Sequence, residues 1–282
     1  MLSSFDVEAI QRRNLAVCVR PTYGPVDDPM QLIQFLMYYI VAGATHFTFY
    51  NTRGISPQTA KVFRRAQEIG ISLEILPWNY EYGDRAPWSY NQYMAINACL
   101  YWQMPDYKHS VMVDMDEFIS PRGKHSRSLI DMLAILDGEH PNAAAYHFSN
   151  NFFFPDEGSD PAFDGITLPF DMFHATTRFG PYPTFPKFDR SKAIFKTSRV
   201  VRAAIHNMDE PVPGYDAIHT QANTSGLFHY RRHPSVPINK SKALYEEERD
   251  IEMLKFYDPM TQHVFFNPLL NSAFEYFRMS YG

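Results

Sequence analysis

Cysteine is nearly absent from this chain: Cys18 and Cys99 are the only two in 282 residues. That excludes a disulfide scaffold and a four-cysteine zinc site. Glycine is scarce beside proline, 13 against 21, which excludes collagen-like and glycine-rich low-complexity architecture. There is no basic excess. Lys and Arg number 26 against 31 Asp and Glu, so neither a nucleic-acid surface nor a polybasic membrane patch is expected. Long apolar runs are missing too. The longest, residues 32–42, contains Gln34 and two tyrosines and falls well short of the ~20 residues a membrane span needs. Residues 1–14 carry Asp6, Glu8, Arg12 and Arg13 and lack the apolar stretch of a signal peptide. The chain as given therefore reads as soluble. Its compartment stays open, cytoplasmic or membrane-associated by default, and so does the removal of an anchor. It contains no G-x-G-x-x-G, Walker A, G-x-S-x-G or H-E-x-x-H sequence. The sequons at Asn223 and Asn239 carry no weight without a signal peptide.

What is present is an ordinary globular composition, 45% apolar, which rules out disorder of the whole chain. The first half alternates between two periodicities. Residues 15–20, 46–50, 71–76 and 110–113 are short apolar or aromatic runs that predict strands. Between them, Ile33, Leu36, Met37 and Ile40 recur at helical spacing. Ser56-Pro57 opens a second helix that ends at Gly70, and residues 88–102 predict a third. Four such alternations imply βαβ units, a mostly parallel sheet and helices on both of its faces. The second half is less periodic. Residues 150–186 read as ordered loops and short strands, residues 193–201 and 226–230 as strands, and residues 240–257 as a charged helix.

The sharpest local feature is the run Val111-Met112-Val113-Asp114-Met115-Asp116-Glu117-Phe118-Ile119, an apolar strand leading into three carboxylates. Parallel sheets bind ligands beyond the carboxyl ends of their strands. Asp114 and Asp116 are two apart, so on extended backbone they would share one side. Two carboxylates so placed repel unless a cation neutralises them. Mg²⁺ or Mn²⁺ shared with substrate phosphates suits such oxygens. The plainer alternative is an acidic turn capping the next helix. Asp114 to Ile119 is not an EF-hand loop, since it lacks the third Asp or Asn and the glycine. Cys18 and Cys99 read as small buried hydrophobes.

With these residues in view the chain resembles glycosyltransferase family 92. Asp114 to Ile119 is similar to the family's D-x-D-E-F-I segment, and Phe47 to Asn51 to its second strand. Gln92, Ala95, Asn97 and Cys99 are similar to its Q-x-x-A-x-N-D-C helix. Lys192 to His206 is similar to its K-x-I…V…H segment and His229-Tyr230-Arg231 to its H-Y-R. The likeness runs from about Leu15 to Arg232. One departure is Ala98, which stands where the family has Asp; residues 150–190 also diverge. The resemblance implies an α/β, GT-A-like fold, a mostly parallel central sheet flanked by helices with a loop-rich C-terminal half. It implies one domain over residues 1–282, with a nucleotide-sugar-binding half at about 15–120 and an acceptor-side half at about 121–282. It further implies metal-dependent transfer, with inversion, of a sugar, foremost galactose, from a UDP-sugar to a glycan hydroxyl.

On that reading Asp114, Asp116 and a late histidine, His229 ahead of His206, would hold Mn²⁺ or Mg²⁺. Arg20, Asn51, Gln92, Asp114, Lys192 and Arg231 would contact the donor, although Lys192 reads equally as a solvated lysine. Asp156 or Glu157, after the aromatic run Phe152-Phe153-Phe154, would be the base, with Asp164 and Asp171 as competitors. Trp78, Trp88 and Tyr90 would wall the donor site or simply pack. Two rivals remain. A haloacid-dehalogenase-type phosphohydrolase also uses D-x-D, but on its first strand. A non-catalytic carbohydrate-binding relative would keep the fold without turnover.

Overall fold

Apolar runs in the first half become strands that pair side by side: β1 (Arg13–Val19), β2 (Phe47–Asn51), β3 (Leu73–Pro77) and β4 (Tyr107–Val113). The computed structural model describes residues 12–21, 26–52, 54–78, 91–122, 128–157, 168, 170–180, 190–231 and 246–280. Three helices connect these strands: α1 (Pro29–Val41), α2 (Pro57–Glu68) and α3 (Gln92–Gln103). Their starts are encoded locally. Asp28 accepts from the Met30 and Gln31 amides at 2.9 and 3.0 Å, and Pro29 follows it. Ser56 Oγ accepts from the Thr59 amide at 3.2 Å, again with proline next. Beyond α2, Gly70 takes φ 93°, the left-handed turn that glycine reaches without strain.

Later strands are shorter: β5 (Glu117–Pro121), β6 (Ala143–Phe148), β7 (Asn150–Phe153), β8 (Thr177–Gly180), β9 (Lys192–Lys196), β10 (Val200–Ala203), β11 (Met208–Pro211), β12 (Asp216–His219), β13 (Ser225–Tyr230) and β14 (Glu246–Arg249). Helix α4 (Leu129–Glu139) precedes β6. A seven-stranded sheet has the order β12-β6-β9-β4-β1-β2-β3. All its neighbours are parallel except β9, which runs antiparallel to both β4 and β6. A second sheet, β14-β8-β7-β13-β5, stands beside it, and β10 and β11 form a separate pair. This is the α/β, mostly parallel, helix-flanked arrangement expected of a GT-A-like chain.

The pleat of β1 sorts its side chains. Leu15, Val17 and Val19 join the larger core with α1, α2 and α4, while Cys18 joins a second cluster with Ala95, Ile96, Cys99 and Leu100 of α3. Helices thus cover both faces. Residues 32–39 of α1 are all buried, because α1 fills the space between the central sheet and β5. Phe118 of β5 meets Tyr38, Phe35 and Tyr230 at ring distances of 5.1, 6.3 and 5.7 Å.

Two expectations are corrected. Residues 193–201 are not one strand: a 3-10 turn at Thr197–Arg199 divides β9 from β10, with Thr197 Oγ1 donating to Tyr107 O at 2.6 Å. Residues 246–257 are not one helix. Pairing of β14 with β8 outweighs helix propensity there, and the 3-10 turn Glu252–Phe256 follows. The remainder of that expected helix, 240–245, lies outside the described residues, as does the start of the expected helix at residues 88–90.

Cys18 and Cys99 are buried in the core, as read from the sequence, and are joined to one another as a disulfide with Cα atoms 6.3 Å apart. The bond fixes α3 to β1 across 81 residues of chain. Reduction, or Cys99→Ser, is expected to lower unfolding free energy by about 4 kcal/mol on the loop-entropy account. Urea unfolding of the oxidised and reduced protein measures this.

Candidate functional site

Strand register assembles the site. β1 and β4 pair Val19 with Val113, so the next residues, Arg20 and Asp114, emerge together at the carboxyl edge of the sheet. Arg20 Nε forms an ion pair with Asp114 Oδ1. β9 aligns Ala193 with Met112, which brings the preceding Lys192 to the same edge. Its Nζ lies 3.3 Å from Asp114 Oδ2 and 3.2 Å from Glu117 Oε2. On the other side, β13 pairs His229 with Glu117. His229 Nε2 is 3.2 Å from Asp116 Oδ2, and its Nδ1 is 3.3 Å from Asn150 Oδ1 and 3.5 Å from Glu117 Oε1.

The D-x-D is not extended. β4 stops at Val113, and a turn follows in which the Glu117 amide donates to Asp114 O at 3.1 Å and the Asp114 amide to Glu117 Oε2 at 2.9 Å. The expectation that Asp114 and Asp116 share one side is therefore corrected. Asp114 turns to Arg20 and Lys192, and Asp116 to His229. The turn is held from behind: Tyr38 and Tyr39 donate to Ile119 O and Glu117 O at 2.6 and 3.0 Å, and the Tyr230 amide donates to Asp116 O at 2.8 Å.

Electrostatics follow from burial and pairing. Burial alone would lower His229, but the Asp116 and Glu117 charges outweigh it and raise its pKa. Both ring nitrogens face oxygen acceptors, which suits the imidazolium. Burial would raise Asp116, yet His229 and Arg20 hold its carboxyl well below the usual range. Glu117 is raised, by burial first and then by the Asp114 charge, against the pull of Lys192 and His229. Burial opposes the Lys192 ammonium, but Asp114 and Glu117 raise its pKa overall.

The structure brings Arg20, Gln92, Asp114, Asp116, Lys192 and His229 to one edge. A narrow cleft beside them, with accessible room of about 10 Å³, enough for roughly one water, is lined by Arg20, Gln92, Lys192, Tyr50 and Ile205 among others. His206 stands nearby, its Nδ1 3.0 Å from Ser191 O; burial and then Lys192 lower its pKa. Asn51 Oδ1 accepts the Gly54 amide at 2.8 Å and so closes the turn after β2. Arg231 follows β13, half-buried, its amide on Phe153 O at 2.9 Å. Asp156 is exposed, in the 3-10 turn Pro155–Glu157 that ends β7. The side chain of Glu157, Asp164, Trp88 and Tyr90 lie outside the described residues. Asp171 opens a short helix, Asp171–His174, and Trp78 packs edge-on against Tyr50 at 4.8 Å.

Sequence reasoning gave no role to Glu117, Asn150 or Arg190, and it read Phe152 only as part of an aromatic run that could face a sugar, not as a neighbour of His229. Phe152 meets the His229 ring at 4.9 Å, and Arg190, at φ 54°, sets its guanidinium 5.5 Å from the centre of the Phe152 ring. Only strand pairing reveals these contacts; Glu117 alone had a local signal, its place in the acidic run.

Asp116 and His229 offer one carboxylate oxygen and one imidazole nitrogen side by side. Among the described residues no three His, Cys, Asp or Glu side chains converge as a ready-made metal cage. A divalent ion held together with substrate phosphates needs only one or two protein ligands; Asp116 offers a hard oxygen, and His229 would add a nitrogen only as the neutral imidazole, after giving up its proton.

The family description of glycosyltransferase family 92 matches residues 13–266, a span that includes every residue of this site. The chain belongs to glycosyltransferase family 92. No curated protein matches it in sequence. Among solved structures, TarS of S. aureus aligns over 77% of this chain and 37% of its own, at 12% identity and a TM-score of 0.36. A likeness so slight carries no argument about fold or activity, and the chain spans well under half of the TarS length. Among the described residues no helix is long and apolar enough to cross a membrane. The phosphohydrolase alternative finds no support in this family, and its D-x-D would stand on the first strand rather than after β4.

Lys192 is 3% exposed between two carboxylates. Lys192→Met is expected to destabilise the fold by about 3–5 kcal/mol, because it strands buried negative charge. Lys192→Arg should cost less. Urea titration of both variants checks the order.

Proposed function

We propose that this chain is a metal-dependent glycosyltransferase that moves a sugar, foremost galactose, from a UDP-sugar to a glycan hydroxyl with inversion. The observation that carries the reading is the meeting of Asp116 and His229 at 3.2 Å on the carboxyl edge of the sheet, beside the cleft that Arg20, Gln92 and Lys192 line. Family membership supports sugar transfer in general; the donor, the metal and the stereochemistry are our own reading.

Asp116 and His229 would hold Mn²⁺ or Mg²⁺, which when bound offsets the negative charge that develops on the leaving diphosphate. Asp114 is engaged by two cationic side chains, so its part is to fix Arg20 and Lys192 at the donor cleft. Gln92 would bind the nucleotide end of the donor. Arg231, two residues beyond His229, would grip phosphate oxygens through its planar guanidinium. Asp156 or Glu157 would take the proton of the acceptor hydroxyl. Both extend the strand whose Phe152 ring packs on His229, so the acceptor would enter on that side. The Phe152 and Phe154 rings, 5.7 Å apart, offer apolar faces to a sugar ring.

Calorimetry with UDP and Mn²⁺, and release of UDP from UDP-galactose with glycan acceptors, test the proposal. Asp116→Ala and His229→Ala should abolish Mn²⁺-dependent UDP binding while the protein still melts cooperatively. His206→Ala should weaken it less than His229→Ala. Normal binding by Asp116→Ala would remove the metal assignment. Asp156→Ala, or Glu157→Ala if that is the base, should lower turnover about 100-fold or more with UDP affinity unchanged, since a base acts on the acceptor. Sugar binding without turnover in the wild type would establish the non-catalytic reading, which Ala98 favours.

A further inference from the structure

Helix α3 contains no charged residue, and it is apolar on both sides. Its inner side, Ala95, Ile96, Cys99 and Leu100, packs on the sheet. Its outer side presents Met94, Ala98, Tyr101 and Trp102 to solvent, with Met94 53% and Trp102 70% exposed. Met94, Ala98 and Tyr101 are spaced by four and three, so they form a stripe along the helix, and Trp102 flanks it. Of the eight exposed large hydrophobic residues described, five lie on α3 or on adjacent β10: Tyr93, Met94, Tyr101, Trp102 and Val201. Apolar residues scattered singly over a surface need no explanation, but a contiguous aromatic patch marks an interaction site. The two tyrosine hydroxyls are already satisfied. Tyr93 donates to Asp209 Oδ2 at 2.9 Å and Tyr101 to Val201 O, so what remains on offer is ring surface.

We infer that the outer face of α3 is a docking surface for a second copy of this chain, packed antiparallel across a two-fold axis. The charges around the patch select this occupant. At the amino end of α3 lie Asp209 and Glu210 of β11, with Arg202 between them at 3.6 and 3.4 Å, a net negative group. At the carboxyl end Arg12 donates to the Met104 carbonyl at 3.4 Å, and Arg13 and Lys108 are exposed nearby with Asp106, a net positive group. An antiparallel partner sets the negative end of each helix against the positive end of the other, and it opposes the two helix dipoles favourably. An anionic bilayer would instead meet Asp209 and Glu210. The helix is about 18 Å long, so the contact is small, and association is to be sought at micromolar concentrations and above. This inference concerns the face of the sheet away from α1 and does not rest on the reading of the donor cleft.

Sedimentation velocity of the full chain across the micromolar range tests it. The wild type should pass from monomer to dimer as concentration rises. Trp102→Glu should weaken association about tenfold or more, because it replaces the most exposed ring of the patch with a charge, with an unchanged melting profile because the side chain is solvent-facing. Arg12→Glu should weaken association, and adding Glu210→Arg to it should restore part of the loss. A chain that stays monomeric at every concentration overturns the inference, as does a dimer that persists in Trp102→Glu. Monomers that bind neutral phosphatidylcholine vesicles through Trp102 would also overturn it, in favour of a lipid surface.

Discussion

The cluster of opposed charges at the junction of the two sheets is the constraint around which the rest of the chain is arranged. Arg20, Lys192 and His229 supply positive charge; Asp114, Asp116 and Glu117 supply negative charge. Isolated burial of any one of them would cost several kcal/mol, so each is tolerable only because the others are in place. The members come from five strand ends or turns far apart in sequence. β1, β4 and β9 belong to the central sheet, whereas β5 and β13 belong to the second. Pairing within the cluster therefore ties the two sheets together at the edge where a ligand would enter.

Much of the apolar core serves to hold that edge still. α1 is buried along most of its length not because it is unusually long but because both sheets pack on it. Its two tyrosines place their rings among aromatic neighbours and their hydroxyls on the backbone of β5. A buried tyrosine hydroxyl needs such a partner, and here the partners are the carbonyls that set the acidic turn. On the opposite face the Cys18–Cys99 bond keeps α3 against β1, two residues before Arg20. Gln92 at the start of α3 and Arg20 at the end of β1 thus line one cleft with little freedom to part.

The division of charge within the acidic turn changes how its motif reads chemically. Two carboxylates a residue apart suggest a shared cation. In the folded chain Asp114 is satisfied by protein cations and only Asp116 is left beside an imidazole. The site so formed is divided, with Arg20 and Lys192 paired to Asp114 and Glu117 on one side and the Asp116–His229 pair on the other.

The sequence by itself determined the first half of the fold. Strands β1 to β4, the caps at Asp28 and Ser56, the helical spacing of α1 and the acidic run after β4 are all local signals, set by side-chain periodicity and by hydrogen bonds within a few residues. The tertiary structure decided what depends on pairing. β14 is a strand because β8 lies beside it, although its sequence, Glu-Glu-Glu-Arg, favours a helix. β9 ends at Lys196 because Thr197 finds the Tyr107 carbonyl. The partners of Asp114 and Asp116 were likewise not legible, since a turn replaced the extended backbone that spacing assumed, and the bond between Cys18 and Cys99 needed two distant elements to meet. The same holds for Asn150 and Phe152 beside His229. A strand of four residues carries almost no periodicity of its own, so its place in a sheet, and every side-chain contact that follows from that place, comes from neighbours remote in sequence.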